Sequence, residues 1–160
     1  MTTYTADNAA SGVPVSGHGF AHNKRQAHGL YHVTTAPVAN DVIRLCRVPK
    51  GAIVTGGHFY GTKMETTSSG AALDLDIGYE ANGSDTADPD AFGNLGVIST
   101  AAQTGIKPQT DAFRYPLAGV LLTGGPKTLA AETIISATVI ASATSWVSGY
   151  VGVVVDYELP

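Results

Sequence analysis

From position 40 to the end of the chain, apolar residues occur in short runs that are separated by Gly, Pro, Asn and Asp. Runs of this length between turn residues are typical of the strands of a β-sandwich or barrel. The predicted strands cover 41–48, 52–63, 72–80, 112–123, 129–142 and 145–159, and 92–100 fits either a weak strand or a short helical turn. The pattern predicts an all-β fold, a jelly-roll-like two-layer β-sandwich of about eight strands that occupies residues 38–160.

Two of these strands indicate which of their faces is buried. Segment 72–80 alternates between apolar residues and acids, so we expect one core face and one solvated face. Its apolar positions are Leu73, Leu75, Ile77 and Tyr79, and its acids are Asp74, Asp76 and Glu80. Segment 145–159 is apolar on both faces, which predicts a central strand that is covered on both sides. One face carries Val147, Val151, Val153, Val155 and Tyr157, and the other carries Trp146, Tyr150 and Val154.

Glycine and proline mark the expected irregularities of the sandwich. The pair Gly56-Gly57 predicts a bulge or a close approach of another backbone within 52–63. The turn residues Asn82-Gly83 and the sequence Asp88-Pro89-Asp90 predict a long loop after 72–80.

Residues 1–37 differ from the rest of the chain because their single apolar residues follow neither a helical nor a strand period for long. We expect an extended N-terminal arm that builds no core of its own. Its isolated apolar and basic residues suit addition to a partner's surface, where alternate side chains fill pockets. The expected docking residues are Val13, Val15, Phe20, Lys24, Arg25, Leu30, Tyr31 and Val33.

Composition excludes some partners. Apolar residues make up 44% of the chain and charged residues only 14%, so we expect its surface to meet other molecules. A net charge of −4 with few clustered Lys and Arg residues argues against nucleic acid. No stretch has the length of a membrane span and no export signal is evident, so we expect no membrane partner and synthesis in the cytosol.

Two groups of residues are candidates for a metal site. Four histidines, two of them with the i, i+4 spacing that suits zinc on a helix, lie among glycines without a Cys or carboxylate, which favours a polar docking arm with some pH sensitivity. They are His18, His22, His28 and His32. The loop acids Asp85, Asp88 and Asp90 lack the alternate spacing and closing Glu of an EF-hand loop, and such acids more often begin a turn. We therefore predict no metal and no other cofactor.

Catalytic residues are not indicated either. The single cysteine, Cys46, has no partner for an internal disulfide and lies in an apolar strand, where a thiol behaves as a small hydrophobe. No serine occupies a Gly-x-Ser-x-Gly elbow, and the glycine pairs lack the features of phosphate-binding loops. We predict that the chain is not an enzyme. The enzyme alternative, a small hydrolase, would need a serine and an acid beside His58, the only histidine beyond the arm.

Two segments carry a resemblance to a known family: VIRLCRVPKGAIVTGGHFYG at 42–61 and LDLDIGYEANGSDTADPDAFGNLG at 73–96. A strand that ends in Pro-x-Gly, a strand ending in Gly-Tyr and a loop with Asp-Pro-Asp-Ala-Phe are together similar to the decoration, or cement, proteins of tailed-bacteriophage capsids. The resemblance implies a jelly-roll-like fold, a homotrimer on the outer surface of the virion and an N-terminal arm that reaches neighbouring subunits. It also implies the major capsid protein as the partner.

The sequence thus predicts a structural virion protein that stabilises the lattice of the major capsid protein. The alternative is a tail or head-fibre component that binds host-surface glycans through aromatic residues such as Tyr60, Trp146 and Tyr150. The copy number in the virion separates these two functions.

Overall fold

The computed structural model describes residues 1–6, 9–10, 24–66, 72–97 and 113–160. Within these ranges, ten strands and one helical turn are present. The elements are β1 (Thr3–Thr5), β2 (Lys24–Val33), β3 (Val42–Val48), β4 (Ile53–Gly61), β5 (Asp74–Tyr79), β6 (Asp88–Val97), β7 (Phe113–Pro116), α1 (Val120–Thr123), β8 (Lys127–Thr128), β9 (Thr133–Ala141) and β10 (Gly149–Glu158). Sheet A has the order β1-β3-β9-β5-β6, and sheet B has the order β2-β10-β4-β7, with β8 paired to β4.

The order of the strands is that of a jelly roll, which confirms the predicted fold class. Apart from the small strands β1 and β8, each sheet holds four strands. Successive strands alternate between the two sheets, except that β5 and β6 pair directly. All pairs among these eight strands are antiparallel, as in the two Greek keys of a jelly roll. β1 adds to the edge of sheet A, parallel to β3.

The core lies between the two sheets and receives one face of each long strand. The apolar positions predicted for the core face of 72–80, and all but Val147 of those predicted for the first face of 145–159, are buried: Leu73, Leu75, Ile77, Tyr79, Val151, Val153, Val155 and Tyr157. Val147 lies before β10 and is half-buried. Cys46 is buried with them, and burial raises the pKa of its thiol to about 12, as expected for a core residue.

The structure differs from the sequence-based interpretation of residues 24–33. This segment of the predicted arm is a ten-residue strand, β2, that pairs with β10 along its full length. Ala27 and Val33 are buried while Lys24 and Leu30 face solvent, so the segment does follow the strand period. β2 is the first strand of the jelly roll, and the sandwich therefore begins before position 38.

Gly29 explains why β2 is hard to recognise. It occupies an inward position, where an apolar side chain would have revealed the pattern. A Cβ atom at this position would lie 1.8 Å from the carbonyl oxygen of Leu45 on β3. Glycine therefore permits the close approach of the two sheets at their shared edge.

β10 is a central strand of sheet B, as predicted, but its outer face is not covered. Tyr150 is 43% exposed, and Val154 is half-buried. Trp146 lies before the strand and forms an isolated bridge with Glu65. The apolar character of the outer face is therefore presented to solvent in the free chain.

Three loop regions refine the predicted boundaries. The register between β4 and β10 shifts next to Gly56, which agrees with the bulge expected at Gly56-Gly57. The strand predicted for 112–123 is confined to β7 and is followed by α1. The sequence Asp88-Pro89-Asp90 begins β6 rather than continuing the loop, and positions 98–100 of the uncertain segment lie outside the described residues.

In the part of the chain that the structure describes, no helix has the length and hydrophobicity of a membrane span.

Candidate functional site

The predicted docking residues fall into three groups in the structure. Val13, Val15 and Phe20 lie outside the described residues. On β2, Lys24 and Leu30 are exposed, and Leu30 keeps 51% of its surface. The remaining three point inward from the strand, where Arg25 and Tyr31 are half-buried and Val33 is fully buried. Val33 is therefore a core residue and does not reach a partner of the folded sandwich.

The outward positions of sheet B form a surface that we call the aromatic face. Its members are Leu30, His32, His58, Tyr60 and Tyr150. The rings of His32 and Tyr150 stack at 4.3 Å between centroids with an interplanar angle of 14°. The ring of Tyr60 lies over Gly152, which leaves room for it.

The polar groups on the aromatic face are few and are engaged with one another. His58 Nδ1 lies 3.1 Å from Nη2 of Arg114. The centroids of the His58 and Tyr60 rings are 5.6 Å apart. Burial and the positive charge of Arg114 lower the pKa of His58. At one end of the face, Gln26 Nε2 donates to Asp156 Oδ1 at 2.7 Å. The neighbours of His58 are thus the guanidinium of Arg114 and the phenol of Tyr60, and the charge of Asp156 also acts on its ring.

Sheet A differs, because it carries a group of acids whose charges act on one another and that we call the acidic patch: Asp74, Asp76, Asp88 and Asp90. The sequence predicts a solvated Asp76, but only 7% of this residue is exposed. Burial, and then the charges of Asp74 and Asp90, raise the pKa of Asp76 to about 6. Burial also raises the pKa of Asp74 and, together with Asp90, that of Asp88.

Asp76 is buried because β5 lies between two neighbouring strands, β6 and β9. It pairs in register with Thr138 on β9 and with Asn94 on β6. Its Oδ1 atom is inaccessible to solvent and has no hydrogen-bond partner among the described residues, and the same is true of Asp74 Oδ1. The alternation in 72–80 correctly predicted that Asp74 and Asp76 lie on the face opposite the core. How deeply they are buried depends on the neighbouring strands β6 and β9, which the alternation does not reveal.

Asp85, one of the residues considered for metal binding, is used for other contacts. Asp85 accepts hydrogen bonds from the Asn82 side chain at 2.8 Å and from the Ala130 amide at 3.0 Å, and it pairs with Lys127 at 3.4 Å. These bonds shape the loop, as expected of an acid in a turn. The structure describes no group of three or more His, Cys, Asp or Glu residues that could hold a metal ion within its described ranges.

His28 and His32, two histidines of the predicted arm, do not form a helical pair. His28 and His32 both lie on β2, where residues four apart are separated by about 13 Å along the strand. His18 and His22 lie outside the described residues.

Glu65 is a buried acid that the sequence analysis did not single out. Its Oε2 accepts the amides of Ala72 and Leu73 at 3.0 and 2.9 Å. Its Oε1 accepts the amides of Thr144 and Ser145 at 2.7 and 3.3 Å. The carboxylate thus joins the connection that precedes β5 to the turn that precedes β10. No local pattern around position 65 indicates this, because both sets of amides belong to other segments.

Two arginines of β3, Arg44 and Arg47, form ion pairs within the chain. Arg44 contacts Glu80 through two hydrogen bonds of 2.6 Å, and Arg47 contacts Glu132 at 2.5 Å. Arg44 and Arg47, which are close together in the sequence, are thus each engaged with a carboxylate.

No known protein-family model matches the sequence, and no curated protein matches it. Solved structures do match. A chain of the cyanophage Pam1 capsid asymmetric unit is 24% identical, with a TM-score of 0.65, over 96% of this chain and 97% of that chain. A chain of the capsid of Ralstonia phage GP4 is 16% identical, with a TM-score of 0.68, over 99% of both chains. A chain of the acidic stable capsid of Helicobacter pylori bacteriophage KHP30 is 17% identical, with a TM-score of 0.51, over 86% of this chain and 88% of that chain. These similarities show a shared fold.

Proposed function

We propose that this chain is a structural virion protein that decorates the outer surface of a tailed-phage capsid and stabilises the lattice of the major capsid protein. The observation that carries the proposal is the end-to-end similarity to chains of phage capsids, which covers 96% and 97% of the two chains in one case and 99% of both in another. Such coverage means that the matched chains have nearly the same length and the same complete sandwich. The predicted resemblance to decoration proteins supports the same function.

We propose that the aromatic face is buried between copies of the chain in a homotrimer. It exposes Leu30 and Tyr150, and the pair of Arg114 and His58 supplies its central polar contact. Aromatic residues and Arg are enriched in protein interfaces, whereas Lys, Glu and Asp are depleted. Cyclic association would remove this apolar surface from water.

We propose that attachment to the major capsid protein uses the part of the predicted arm that precedes β2. Lys24, at the start of β2, is exposed and remains available to a partner. It lines a groove of about 450 Å³ at the end of sheet B. The other residues of this groove are Arg25, Gln26, Thr55, Asp156 and Tyr157. Because Leu30 lies on the aromatic face, it is assigned to the contact between copies rather than to the capsid.

A tail or head-fibre component that binds glycans is the second candidate. Tyr60 and Tyr150 share the aromatic face, and exposed rings of this kind also stack on sugars. Trp146, the third residue predicted for such a site, is half-buried near Glu65 and packs against the core. The candidate sugar site therefore has two of its three expected rings in one place.

Quantitative mass spectrometry of purified virions tests the proposed function. A decoration protein is expected at a fixed, simple ratio to the major capsid protein. A copy number of a few per virion would contradict decoration and would favour the glycan-binding component.

A further inference from the structure

Every histidine that the structure describes lies on the outward side of sheet B. His28 and His32 are exposed on β2, and His58 is half-buried on β4. The strand registers place His28 and His58 on either side of Val154, so the two residues share one row across the sheet. His32 stacks on Tyr150 further along the same side. Because histidine gains its charge between pH 5 and pH 8, acidification adds positive charge to the aromatic face and beside it.

The fixed charges on the outward side of strands β2, β4, β7 and β10 are balanced while these histidines are neutral. The cations are Lys24 and Arg114, and the acids are Asp156 and Glu158. Both acids lie in the last three residues of β10, at one end of the sheet. Arg114 instead pairs in register with Tyr60 within the aromatic face. Protonation of the histidines would therefore give this side of the sheet a positive net charge.

The contact between His58 and Arg114 depends directly on the charge of the imidazole ring. The Nδ1 atom of His58 lies 3.1 Å from Nη2 of Arg114. A guanidinium keeps its charge and offers only donors, so Nδ1 must accept the bond and cannot carry a proton. The charge of Asp156 favours protonation of the ring, but it acts less strongly than that of Arg114, and its Oδ1 atom already accepts from Gln26. The phenol of Tyr60 supplies no opposing charge. The contact therefore exists only while His58 is neutral.

We propose that the aromatic face holds copies of this chain together while its histidines are neutral, and that acidification releases the contact. This inference rests on the proposed homotrimer and adds the condition under which its interface forms. The balanced fixed charge and the exposed Leu30 and Tyr150 allow copies to meet through this side of the sheet at neutral pH. A charge without a partner is costly in a buried interface. The ring of His58 would thus bind its proton less tightly in the interface than in the free chain, so association weakens as the pH falls.

Sedimentation equilibrium of the full chain, at constant ionic strength from about pH 7.5 to about pH 5, tests the inference. We expect a trimer at the upper pH and association at least about tenfold weaker at the lower pH, the effect of a one-unit difference in pKa between free and associated chains. Circular dichroism at each pH should show that the chain stays folded. Equal association across the range, or unfolding in place of dissociation, would overturn the inference while the proposed homotrimer stands. A monomer at every pH would overturn both.

Variants identify the groups that respond to pH. Gln keeps a polar side chain without a titratable charge, so we expect His58→Gln to reduce the change in association to about threefold or less. The triple variant His28→Gln/His32→Gln/His58→Gln should associate equally at both pH values. The matched control is Asp76→Asn, because Asp76 has a pKa of about 6 but lies on sheet A. This control should keep the full response. An undiminished response in the triple variant, or its loss in the control, would overturn the inference.

Discussion

Among the acids that are buried in the described part of this sandwich, Glu65 and Asp76 have opposite surroundings. Glu65 is 2% exposed and its two oxygens accept four backbone amides from two other segments. Asp76 is 7% exposed, yet its Oδ1 atom accepts no hydrogen bond among the described residues and its charged neighbours are acids. The carboxylate of Glu65 therefore stabilises the folded chain, whereas the charged carboxylate of Asp76 lowers its stability.

The difference indicates which buried carboxylate stabilises the fold and which lowers its stability. A buried carboxylate with a full set of donors stabilises the chain, and loss of it leaves several amides unpaired. A buried carboxylate without donors lowers stability, because its desolvation is not offset by hydrogen bonds. Three variants sharpen this contrast.

The largest effect is expected from Glu65→Ala. Loss of the carboxylate leaves the buried amide of Leu73 and the partly buried amide of Thr144 without their acceptor. We expect the free energy of unfolding to fall by about 3–5 kcal/mol, which corresponds to a drop in Tm of roughly 10 °C. Thermal unfolding followed by circular dichroism measures it.

The control for this variant is Glu132→Ala. Glu132 is paired with Arg47 at 2.5 Å but is about half exposed, with 47% of its side chain accessible. Exposed pairs of this kind contribute under about 1 kcal/mol. If Glu65→Ala were no more destabilising than Glu132→Ala, the structural role of Glu65 would be refuted.

The second variant, Asp76→Asn, is expected to stabilise the free chain above pH 6. The folded pKa of Asp76, about 6, exceeds the ordinary value of 3.8, so the folded state binds the proton more tightly than the unfolded state does. The contribution of Asp76 to stability therefore falls as pH rises from about 4 to about 6 and stays low above that range. After allowance for screening by solvent, we expect the variant to gain about 1 kcal/mol at pH 8.

Urea unfolding at a series of pH values tests this expectation. The unaltered chain should lose stability between pH 4 and pH 6 relative to Asp76→Asn, and the difference should be constant at higher pH. Equal stability of the two chains at pH 8 would mean that Asp76 has a partner after all.

The smallest effect is expected from Asp90→Asn. Asp90 is exposed, and its charge contributes to the raised pKa of Asp76 less than burial does. Removal of this charge should lower the pKa of Asp76 but leave it above its ordinary value. An NMR titration of the Asp76 side chain measures the change, and a return to the ordinary pKa would show that charge rather than burial dominates.

The sequence was informative where the strand period was intact. The alternation in 72–80 correctly predicted the buried positions Leu73, Leu75 and Ile77, and the apolar final segment correctly predicted a central strand. It was not informative for β2, since Gly29 removes an apolar inward position from the pattern. The environments of Glu65 and Asp76 were not predictable either, because each depends on segments that are distant in the sequence.

The position of β2 also changes how the arm should be tested. Deletion of residues 2–36 would remove the first strand of the jelly roll and its ten-residue pairing with β10. We expect such a chain to lose cooperative unfolding, which would conceal any effect on docking. A deletion that ends before Lys24 keeps this pairing and allows docking to be measured separately.

The most direct test of the central claim is the binding of the purified chain to phage capsid shells that were assembled without it. Co-sedimentation gives the ratio of the two proteins, and electron cryo-microscopy of the same shells gives the position of the bound chain. We predict saturable binding to the outer surface at a fixed ratio to the major capsid protein, with sandwich density at symmetry-related positions. Shells that remain bare at saturating concentrations of the chain would contradict the proposed function.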